Sequence, residues 1–444
     1  MSGLGSFGVR EVLRAGQVGA VLSAEVGAAS LRWVLRREGA WSDAAAGAVA
    51  SGFERLGPAF VKVGQLMAST AEAFPRPLAA ACLRLLDDVA SVPTERIRAV
   101  VEADLGAPVS KLFASFEDRP LASGSVAQVH ACVLPDGREA VLKVQRPGIR
   151  EAMLTDLRLA YRTAGIAERV QPRVRTANAT GVVRDLHAVT LVELDSLAEA
   201  RNQARMRENV HTFGDNENVM VPEIYWRYCG PRVICMERVY GGPIDRLGPV
   251  RFDVDGRIEL VRSVVKVWLE AVTVHGLFHG DVHAGNLWVL DDGRMALLDF
   301  GIVGELPPDW RVAIRDLFCA SAIDGDFTRM ARSLRAVGFG AQLDVSDETM
   351  GAQLGMVLAP LLSMRLAEMN LSELIDAMLE MGREWGAVGP EELILLGKQL
   401  GYFERYAVAL APDWVLGADP ALLRNIADDD TDEVTGTGPA RPSC

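Results

Sequence analysis

The sequence has few cysteines, and they do not occur in close pairs. Six cysteines are spread over 444 residues, and no two of them form a CxxC motif. A zinc ribbon and a small disulfide-stabilised scaffold both depend on closely spaced cysteines, so neither class fits this chain. We therefore expect reduced thiols in a cytoplasmic protein.

An excess of positive charge is also missing. The chain carries 46 lysines and arginines against 59 acidic residues, a net charge of −13. This balance argues against a protein that mainly wraps nucleic acid, and we predict no nucleic-acid partner. The hydrophobic content of 49% excludes general disorder, and the length allows two or three domains.

Long apolar runs are the third absence. The best run, at 354–364, is shorter than a spanning helix and contains Pro360. The N-terminus lacks an unbroken apolar core, because Arg14, Gln17 and Glu25 interrupt it. We expect no secretory signal and no spanning segment, only peripheral contact with the inner face of a membrane. A helical face in the N-terminal third, including residues 48–64, is the predicted contact.

The residue patterns predict an α+β fold in four parts. Residues 1–115 have mostly helical, alanine-rich periodicity, and residues 116–239 open with two β-branched runs around the turn sequence "PDGR". Residues 240–415 return to helical spacing. Residues 416–444 form a C-terminal tail whose last part, acidic and then rich in Gly, Pro and Ser, is predicted to be disordered.

The most informative stretch is "FHGDVHAGNLWVLDDGRMALLDFG" at 278–301. The runs "NLWVL" and "MALLDF" flank the turn sequence "DDGR", which predicts a hairpin that brings Asn286 near Asp299, with Asp281 beside them. An amide oxygen and a carboxylate suit magnesium, whose other ligands would be water and substrate phosphates. The order matches kinases, in which a loop aspartate accepts the hydroxyl proton and the other two residues bind metal. The alternative is an acidic loop capped by asparagine.

A kinase-like site also needs a cation at the nucleotide phosphates. Lys143 in "AVLKV" lies on the second run around "PDGR", where the kinase lysine would be. Its expected partner is a helix glutamate, and Glu199 is the candidate, with Asp195 four residues earlier on the same helical face. Two acids so placed repel each other unless cations face them. The alternative is a solvated acidic face.

Several motifs in order give the chain a resemblance to the UbiB/AarF family of atypical kinase-like proteins, over roughly residues 50–340. "KVGQ", with Lys62 and Gln65, looks like the family's KxGQ signature, and "ELD", with Glu193 and Asp195, looks like its ExD element. "ASGSVAQVH" stands where the family has an alanine-rich loop, and "HGDVHAGN" resembles its HxDxHxGN loop.

The resemblance implies a protein-kinase-like two-lobed fold with a helical N-terminal extension, and ATP and magnesium as cofactors. Asp281 would be the catalytic-loop acid, with Lys143 and Glu199 completing the catalytic set, while Asn286 and Asp299 would hold magnesium. The nucleotide-binding residues implied are Ser123, Gly124, Ser125, Lys143, Met236, Glu237 and Val239. The regulatory residues implied are Lys62, Gln65, Glu193 and Asp195.

Two hypotheses concern how this chain differs from other kinase-like proteins. Gly124 stands where the family's loop is mostly alanine, and a glycine is expected to loosen the loop, so the preference between ATP and ADP does not carry over. Lys62 is proposed to reach Glu193 and Asp195 and to restrain phosphate chemistry. Its alternative role is that of an ordinary surface lysine on an amphipathic helix.

The stretch after Gly301 lacks a long activation segment and an A-P-E motif. Phosphorylation of proteins in trans is therefore disfavoured. We expect ATP hydrolysis or transfer to a small lipid-like acceptor, in support of isoprenoid-quinone or other lipid metabolism at a membrane. The alternative is a nucleotide-binding module without kinase activity that regulates or energises a membrane transport partner.

A metal hydrolase is a further alternative. His275, His279 and His283 recur every four residues and would align as zinc ligands on one helical face. Gly276 and Gly280 weaken such a helix.

Overall fold

The computed structural model describes residues 8–36, 40–69, 76–83, 91–170, 178–340, 344–362, 364–365, 368 and 392–427. Helices and strands are mixed, with helices at the N-terminus, as predicted. The chain divides into two units. The first comprises the described residues up to Ala198 together with Tyr225–Glu237, and the second comprises Glu199–Ile224 and the described residues from Arg238 onward.

The first unit begins with helices and continues into an antiparallel sheet. Its helices are α1 Val9–Arg36, α2 Trp41–Leu56, α3 Pro58–Ser69, α4 Arg76–Cys82, α5 Thr94–Leu105 and α6 Val109–Leu112. The strands are β1 Ser115–Phe116, β2 Ala122–Ser123, β3 Ala127–Val133, β4 Glu139–Gln145 and β6 Val233–Glu237, in the order β1-β3-β4-β6 with β2 also on β3. Helices α7 Ile149–Val170 and α8 Ala179–Glu193 follow β4, and α9 Ser196–His211 continues into the second unit.

The predicted hairpin of the first unit is confirmed. Strands β3 and β4 pair along their whole length, from Ala127 opposite Gln145 to Val133 opposite Glu139. Inward-facing residues of β4, such as Leu142 and Val144, are fully buried in a core shared with α5 and β6. This packing explains why alternating β-branched residues there form strands.

The second unit combines short strands with long helices. Its strands are β5 Val219–Met220, β7 Gly241–Pro243, β8 Leu277–His279, β9 Leu287–Leu290, β10 Met295–Leu297 and β11 Val303–Glu305. One sheet has the order β5-β10-β9-β7, and β8 pairs with β11. The helices are α10 Ile244–Arg251, α11 Val254–Glu270, α12 Pro308–Cys319, α13 Phe327–Ala336, α14 Asp347–Leu362, α15 Glu392–Leu410 and α16 Pro420–Ala427. Segments Ala271–His275 and Ala320–Asp324 are π-helical.

The hairpin predicted from "DDGR" is present as β9 and β10. Met295 lies opposite Val289, and Leu297 lies opposite Leu287. Leu287, Val289 and Met295 are almost completely buried, in a core that also includes α11 and α15. The hairpin is therefore packed into a rigid core, which fixes the positions of the residues at its open end.

Two findings bear on the membrane expectations for the N-terminus, and the second corrects the predicted contact. Among the described residues, Val9–Leu35 is a helix long and apolar enough to cross a membrane by length and composition, a property shared with signal sequences and core helices. The predicted contact at 48–64 is mostly buried, since Ala50, Phe53 and Val61 pack in the core of the helical extension. The most exposed apolar side chains of this part of the chain, such as Val9, Leu13 and Leu35, lie on α1 instead.

Charged residues of α1 form ion pairs with residues of α7 in the first unit. Arg14 donates from Nε and Nη2 to the two carboxylate oxygens of Asp156 on α7, at 2.6 and 2.8 Å, and also to the Leu56 carbonyl at 2.5 Å. Glu11 lies 3.3 Å from Arg158 of α7. Burial raises the pKa of Asp156, and the Arg14 guanidinium opposes that rise. These pairs attach α1 to α7.

Replacing Arg14 by alanine should weaken the attachment of α1. The buried Asp156 carboxylate would lose its cation, so we expect the free energy of unfolding to fall by about 2–3 kcal/mol. Urea unfolding measures this, with the exposed Arg10→Ala on the same helix as control. Equal stabilities of the two variants would show that the Arg14–Asp156 pair does not hold α1.

Candidate active site

Asn286 lies just before β9, and both its backbone and its side chain form hydrogen bonds that hold it there. Its N–H donates to the His283 carbonyl at 2.8 Å, and its carbonyl accepts from the Leu298 N–H at 2.9 Å. The side-chain Nδ2 donates to the Asp281 carbonyl at 2.9 Å. In the described part of the chain nothing donates to Oδ1, so the amide oxygen remains for a cation. The predicted proximity of Asn286 to the Asp299 segment is confirmed.

Asp299 has an unusual backbone conformation. Its φ is +60°, and it is one of two described residues other than glycine with positive φ. Aspartate tolerates this left-handed region better than most residues, because its short side chain can hydrogen-bond locally. Here Oδ1 accepts from the Gly301 N–H at 3.2 Å, and the residue is exposed. Such strain clusters at functional sites.

His279 joins the loop that carries Asp281 to the segment that carries Asp299. Its Nε2 donates to the Leu298 carbonyl at 3.0 Å, and its Nδ1 accepts from the Asp281 N–H at 3.0 Å. Burial lowers the pKa of His279, which favours the neutral ring that this pair of bonds requires. The imidazole also packs on Phe300, with ring centroids 5.0 Å apart.

The zinc hypothesis is wrong. His275 ends a π-helix, His279 ends β8 and His283 lies in the loop between β8 and β9, so the three do not share a helical face. His283 accepts the Gly285 N–H at Nδ1, at 2.9 Å. Burial lowers the pKa of His275 to about 4. Across the described ranges, no group of three or more His, Cys, Asp or Glu side chains is placed to hold a metal.

The magnesium hypothesis rests on a different donor set, an amide and a carboxylate. Asn286 offers Oδ1 and Asp299 an exposed carboxylate, both hard oxygen donors on neighbouring segments. Magnesium takes few protein ligands and keeps water or phosphate oxygens in its other positions. The residues present therefore fit this ion.

Helix α15 contributes residues that sequence reasoning missed. Lys398 Nζ lies 2.7 Å from Asp281 Oδ1. Gln399 donates to the Gly280 carbonyl and accepts from the Val282 N–H, at 2.5 and 2.8 Å. These residues lie more than a hundred positions after the loop, and no motif surrounds them in the sequence.

In the first unit, the phosphate-loop candidates are held by Arg146. Its Nε donates to the Gly124 carbonyl at 2.8 Å, and its Nη2 donates to Ser123 Oγ at 2.9 Å. The Gly124 N–H also donates to the Ala127 carbonyl at 2.9 Å. These hydrogen bonds hold the loop around Gly124, and the loosening expected from this glycine stays a prediction. Ser125, the third candidate, is half-buried beside them.

The ELD segment is a break between two helices, not part of one. Helix α8 ends at Glu193, and Asp195 accepts the Ala198 N–H at 2.9 Å, which caps α9. The expectation that Asp195 shares a helical face with Glu199 was therefore wrong. Gln145 of β4 holds this turn by donating to the Leu194 carbonyl at 3.0 Å.

Lys62 of α3 forms an ion pair with Glu193, one of the two carboxylates that it was predicted to reach. Both side chains are partly buried, 15% and 31% exposed, so Lys62 is not an ordinary surface lysine. Gln65 belongs to α3, but its side chain lies outside the described residues.

The remaining candidates are placed on regular elements. Lys143 lies in the middle of β4, opposite Val129 and Ile234. Glu199 is in the first turn of α9 and only 6% exposed. These two belong to different units, and their pairing stays a prediction. Met236 and Glu237 end β6, and Val239 follows just past the point where the chain enters the second unit.

The mixed fold, the lysine strand and the ordered Asp281, Asn286 and Asp299 define a kinase-like protein. Residues 84–334 match the ABC1 atypical kinase-like domain. The chain belongs to this ABC1 family of atypical kinase-like proteins, as the UbiB/AarF resemblance predicted.

Similar proteins span most of the chain. An uncharacterized protein of Mycobacterium tuberculosis is 36% identical over 389 residues, covering 87% of this chain and 79% of that protein. An uncharacterized chloroplastic aarF domain-containing protein kinase of Arabidopsis thaliana is 31% identical, with coverages of 81% and 71%. A probable protein kinase UbiB of Xanthomonas euvesicatoria is 32% identical, with coverages of 84% and 68%.

A solved structure supports the fold. The complex of Rv3197 with erythromycin from Mycobacterium tuberculosis superposes with a TM-score of 0.51 at 24% identity, over 79% of this chain and 91% of that one. At this identity the likeness concerns the fold alone.

Replacing Gly124 by alanine tests what the glycine contributes. An added Cβ would lie 3.5 Å from the Ala127 carbonyl oxygen, an ordinary contact, and φ is not left-handed. We expect a gain of about 0.4–1 kcal/mol in unfolding free energy, because alanine restricts the unfolded chain. ATP and ADP affinities should stay within about twofold, since Arg146 holds the loop.

The control is Gly137→Ala, which should lower stability because Gly137 has a φ of +89°. Urea unfolding and titration calorimetry measure the two effects. A large shift in the ratio of ATP to ADP affinity for Gly124→Ala would instead make this glycine a determinant of nucleotide preference.

Proposed function

We propose that this chain binds ATP with magnesium and hydrolyses it, or transfers its terminal phosphoryl group to a small lipid-like acceptor. The observation that carries the proposal is the grouping of Asp281, Asn286 and Asp299 at one end of a buried hairpin. The biological role proposed, from the family resemblance, is support of isoprenoid-quinone or other lipid metabolism at a membrane.

The residues of the second unit have distinct roles in this proposal. Asn286 and Asp299 would hold magnesium, which when bound neutralises charge on the phosphate oxygens. Asp281 orients the attacking hydroxyl or water and accepts its proton. His279 fixes the backbone on which Asp281 stands, through its bond from the Asp281 N–H.

The residues of the first unit would bind the nucleotide. Lys143 is the cation for the α- and β-phosphates, oriented by Glu199. The loop Ser123–Ser125 would cover the phosphates. Met236, Glu237 and Val239 would lie beside the adenine, where strand β6 ends. These assignments follow the kinase order of lysine strand, helix glutamate and hinge.

The choice of acceptor is supported by the segment after Gly301. Val303 already pairs with His279 as part of β11, and α12 begins at Pro308. Only a few residues therefore separate the Asp299 segment from regular structure. A protein substrate would need a longer surface of the kind that activation segments provide, so a small acceptor or water fits better.

Replacing Asp299 by asparagine should remove the magnesium dependence of nucleotide binding. Asparagine also tolerates a φ of +60°, so the backbone is retained while the charge is lost. We expect ATP affinity in magnesium to fall about tenfold or more, with little change in its absence. Calorimetry with and without magnesium measures this, together with phosphate release.

The control is Asp292→Asn, the same change at an exposed turn position of the same hairpin. Unchanged magnesium-dependent binding in Asp299→Asn would remove this residue from the metal site. Magnesium-dependent binding without phosphate release in the wild type would favour the nucleotide-binding regulatory module for a membrane partner.

Lys62 is proposed to restrain this chemistry through its ion pair with Glu193. The pair links α3 to the end of α8, and Gln145 and Arg150 both donate to the next carbonyl, that of Leu194. A change at Lys62 would therefore be transmitted to the start of α9, which carries Glu199.

Replacing Lys62 by alanine or arginine should release the restraint. Alanine removes the charge, and arginine replaces a compact ammonium by a broad fork. We expect the ratio of ATP to ADP affinity, or the rate of self-phosphorylation, to change by about fivefold or more. The exposed Lys111→Ala is the control. Indistinguishable behaviour of wild type and both Lys62 variants would leave the ion pair a structural role only.

Peripheral membrane association is proposed through the exposed face of α1. Val9, Val12, Leu13, Leu31 and Leu35 are between 56% and 76% exposed, while the acidic Glu11 is buried. An amphipathic helix with such a face binds at the lipid interface in proportion to its buried apolar area.

Substituting Leu13 and Leu35 together by glutamate should reduce binding to liposomes. Both side chains are more than two-thirds exposed, at 70% and 74%, so the fold should tolerate the changes. Flotation with anionic and neutral liposomes, with and without ATP, measures the effect. Val250→Glu, at another highly exposed apolar position, is the control. A wild type that never floats would remove the membrane from the proposal.

A further inference from the structure

The loop that carries Asp281 rests on helix α15. The side-chain amide of Gln399 donates to the Gly280 carbonyl and accepts from the Val282 N–H, so it holds the backbone on both sides of Asp281. Tyr406, two turns later, donates from its hydroxyl to the Val282 carbonyl at 2.8 Å. Gln399 is fully buried. Satisfied buried polar groups of this kind fix a single geometry.

Lys398, the residue before Gln399, acts on the side chain of the same aspartate. Its Nζ lies 2.7 Å from Asp281 Oδ1 and 5.7 Å from the centre of the Tyr402 ring. Lys398 is 45% exposed and Asp281 21% exposed. A pair this exposed to solvent contributes little to the stability of the fold. The ion pair therefore adds little to stability, although it lies at the residue that is proposed to accept the proton.

The two oxygens of Asp281 have different surroundings. Oδ1 is bound by Lys398, and Oδ2 lies 3.7 Å from Nε2 of His283. His283 is itself oriented by the Gly285 N–H, which donates to Nδ1. Lys398 thus fixes the carboxylate rotamer and leaves Oδ2 as the oxygen not engaged by an ammonium.

We propose that Lys398 is a positioning residue for phosphoryl transfer, which holds the Asp281 carboxylate so that Oδ2 meets the attacking group. This inference rests on the proposed function. The attacking oxygen forms a bond to the terminal phosphorus of ATP and gives its proton to Oδ2, while the bond to the bridging oxygen breaks and ADP leaves. Lys398 keeps its contact with Oδ1, which takes no part in the reaction.

Lys398 lies outside the part of the sequence that matches the ABC1 domain. The match to the ABC1 domain ends at residue 334, and α15 begins at Glu392. In this chain the catalytic loop is therefore completed by a helix from outside the matched domain. The pair "KQ" at 398–399 supplies both contacts, one to the side chain and one to the backbone.

The kinetic test compares Lys398→Ala, Lys398→Arg and the control Arg405→Ala in the full chain. Arg405 is an exposed cation on the same helix. We expect Lys398→Ala to lower kcat for magnesium-dependent ATP hydrolysis about tenfold or more, because a positioned base contributes 10²–10⁴-fold. KM for ATP should change less than about twofold, since Lys398 acts through Asp281. Arginine should restore part of kcat, and Arg405→Ala should match the wild type.

A second readout does not depend on activity. A carbodiimide couples an amine to a carboxylate without a spacer, so the wild type should give a Lys398–Asp281 cross-link in peptide mass spectrometry. Hydrogen exchange of peptides covering 278–286 should stay slow in Lys398→Ala and become faster in Gln399→Leu, because Gln399 holds the backbone. This separates lost positioning from lost folding.

The outcomes distinguish failure of the proposed function from failure of the positioning role of Lys398. A wild type without magnesium-dependent hydrolysis overturns the proposed function, and this inference with it. An active wild type whose Lys398→Ala form keeps or exceeds the normal kcat overturns the inference alone, since Lys398 would then be neutral or inhibitory. An active wild type without the cross-link also overturns the inference alone.

Discussion

The neutral imidazole of His279 is the contact on which the candidate site depends. One ring nitrogen donates to the Leu298 carbonyl and the other accepts from the Asp281 N–H, so a single buried side chain sets the distance between two loops. Burial lowers its pKa and keeps both bonds available at neutral pH. A protonated ring would lose the acceptor at Nδ1, and Asp281 would lose its anchor on this side. The position of Asn286, a candidate metal ligand, depends on the same contact, because its side chain donates to the Asp281 carbonyl.

Much of the fold was predictable where local chemistry determines it. The turns "PDGR" and "DDGR" sit between runs that can bury alternate side chains, and both hairpins form with the expected partners. Periodicity failed at the ELD segment, because helical spacing continues in phase across a break. The break itself has a local signal, since Asp195 precedes Ser196 as a helix-capping residue would. At such a point, a capping residue is therefore a better guide to the helix boundary than periodicity.

Contacts between distant parts of the chain left no local pattern. Arg146 follows β4 as an unremarkable arginine, yet it holds the loop at Ser123 and Gly124. From the sequence, Lys398 and Gln399 look like surface residues of an amphipathic helix, but in the fold they contact the loop that carries Asp281. At the N-terminus, Arg14 and Glu25 interrupt the apolar sequence of α1, yet by length and composition this helix is apolar enough to cross a membrane, and Arg14 finds its partner on α7.

Each unit positions its own set of candidate residues with its own contacts. In the first, Gln145 on the lysine strand donates to the Leu194 carbonyl, between Glu193, which binds Lys62, and Asp195, which caps α9. In the second, α15 supports the loop of Asp281 from below while the hairpin supports Asn286. Preorganisation of this kind lowers the cost of ordering side chains when a ligand binds. A substitution far from the motifs, at Gln145 or Gln399, would therefore alter the backbone that holds the candidate residues, so the residues that shape the candidate site extend beyond those its motifs name.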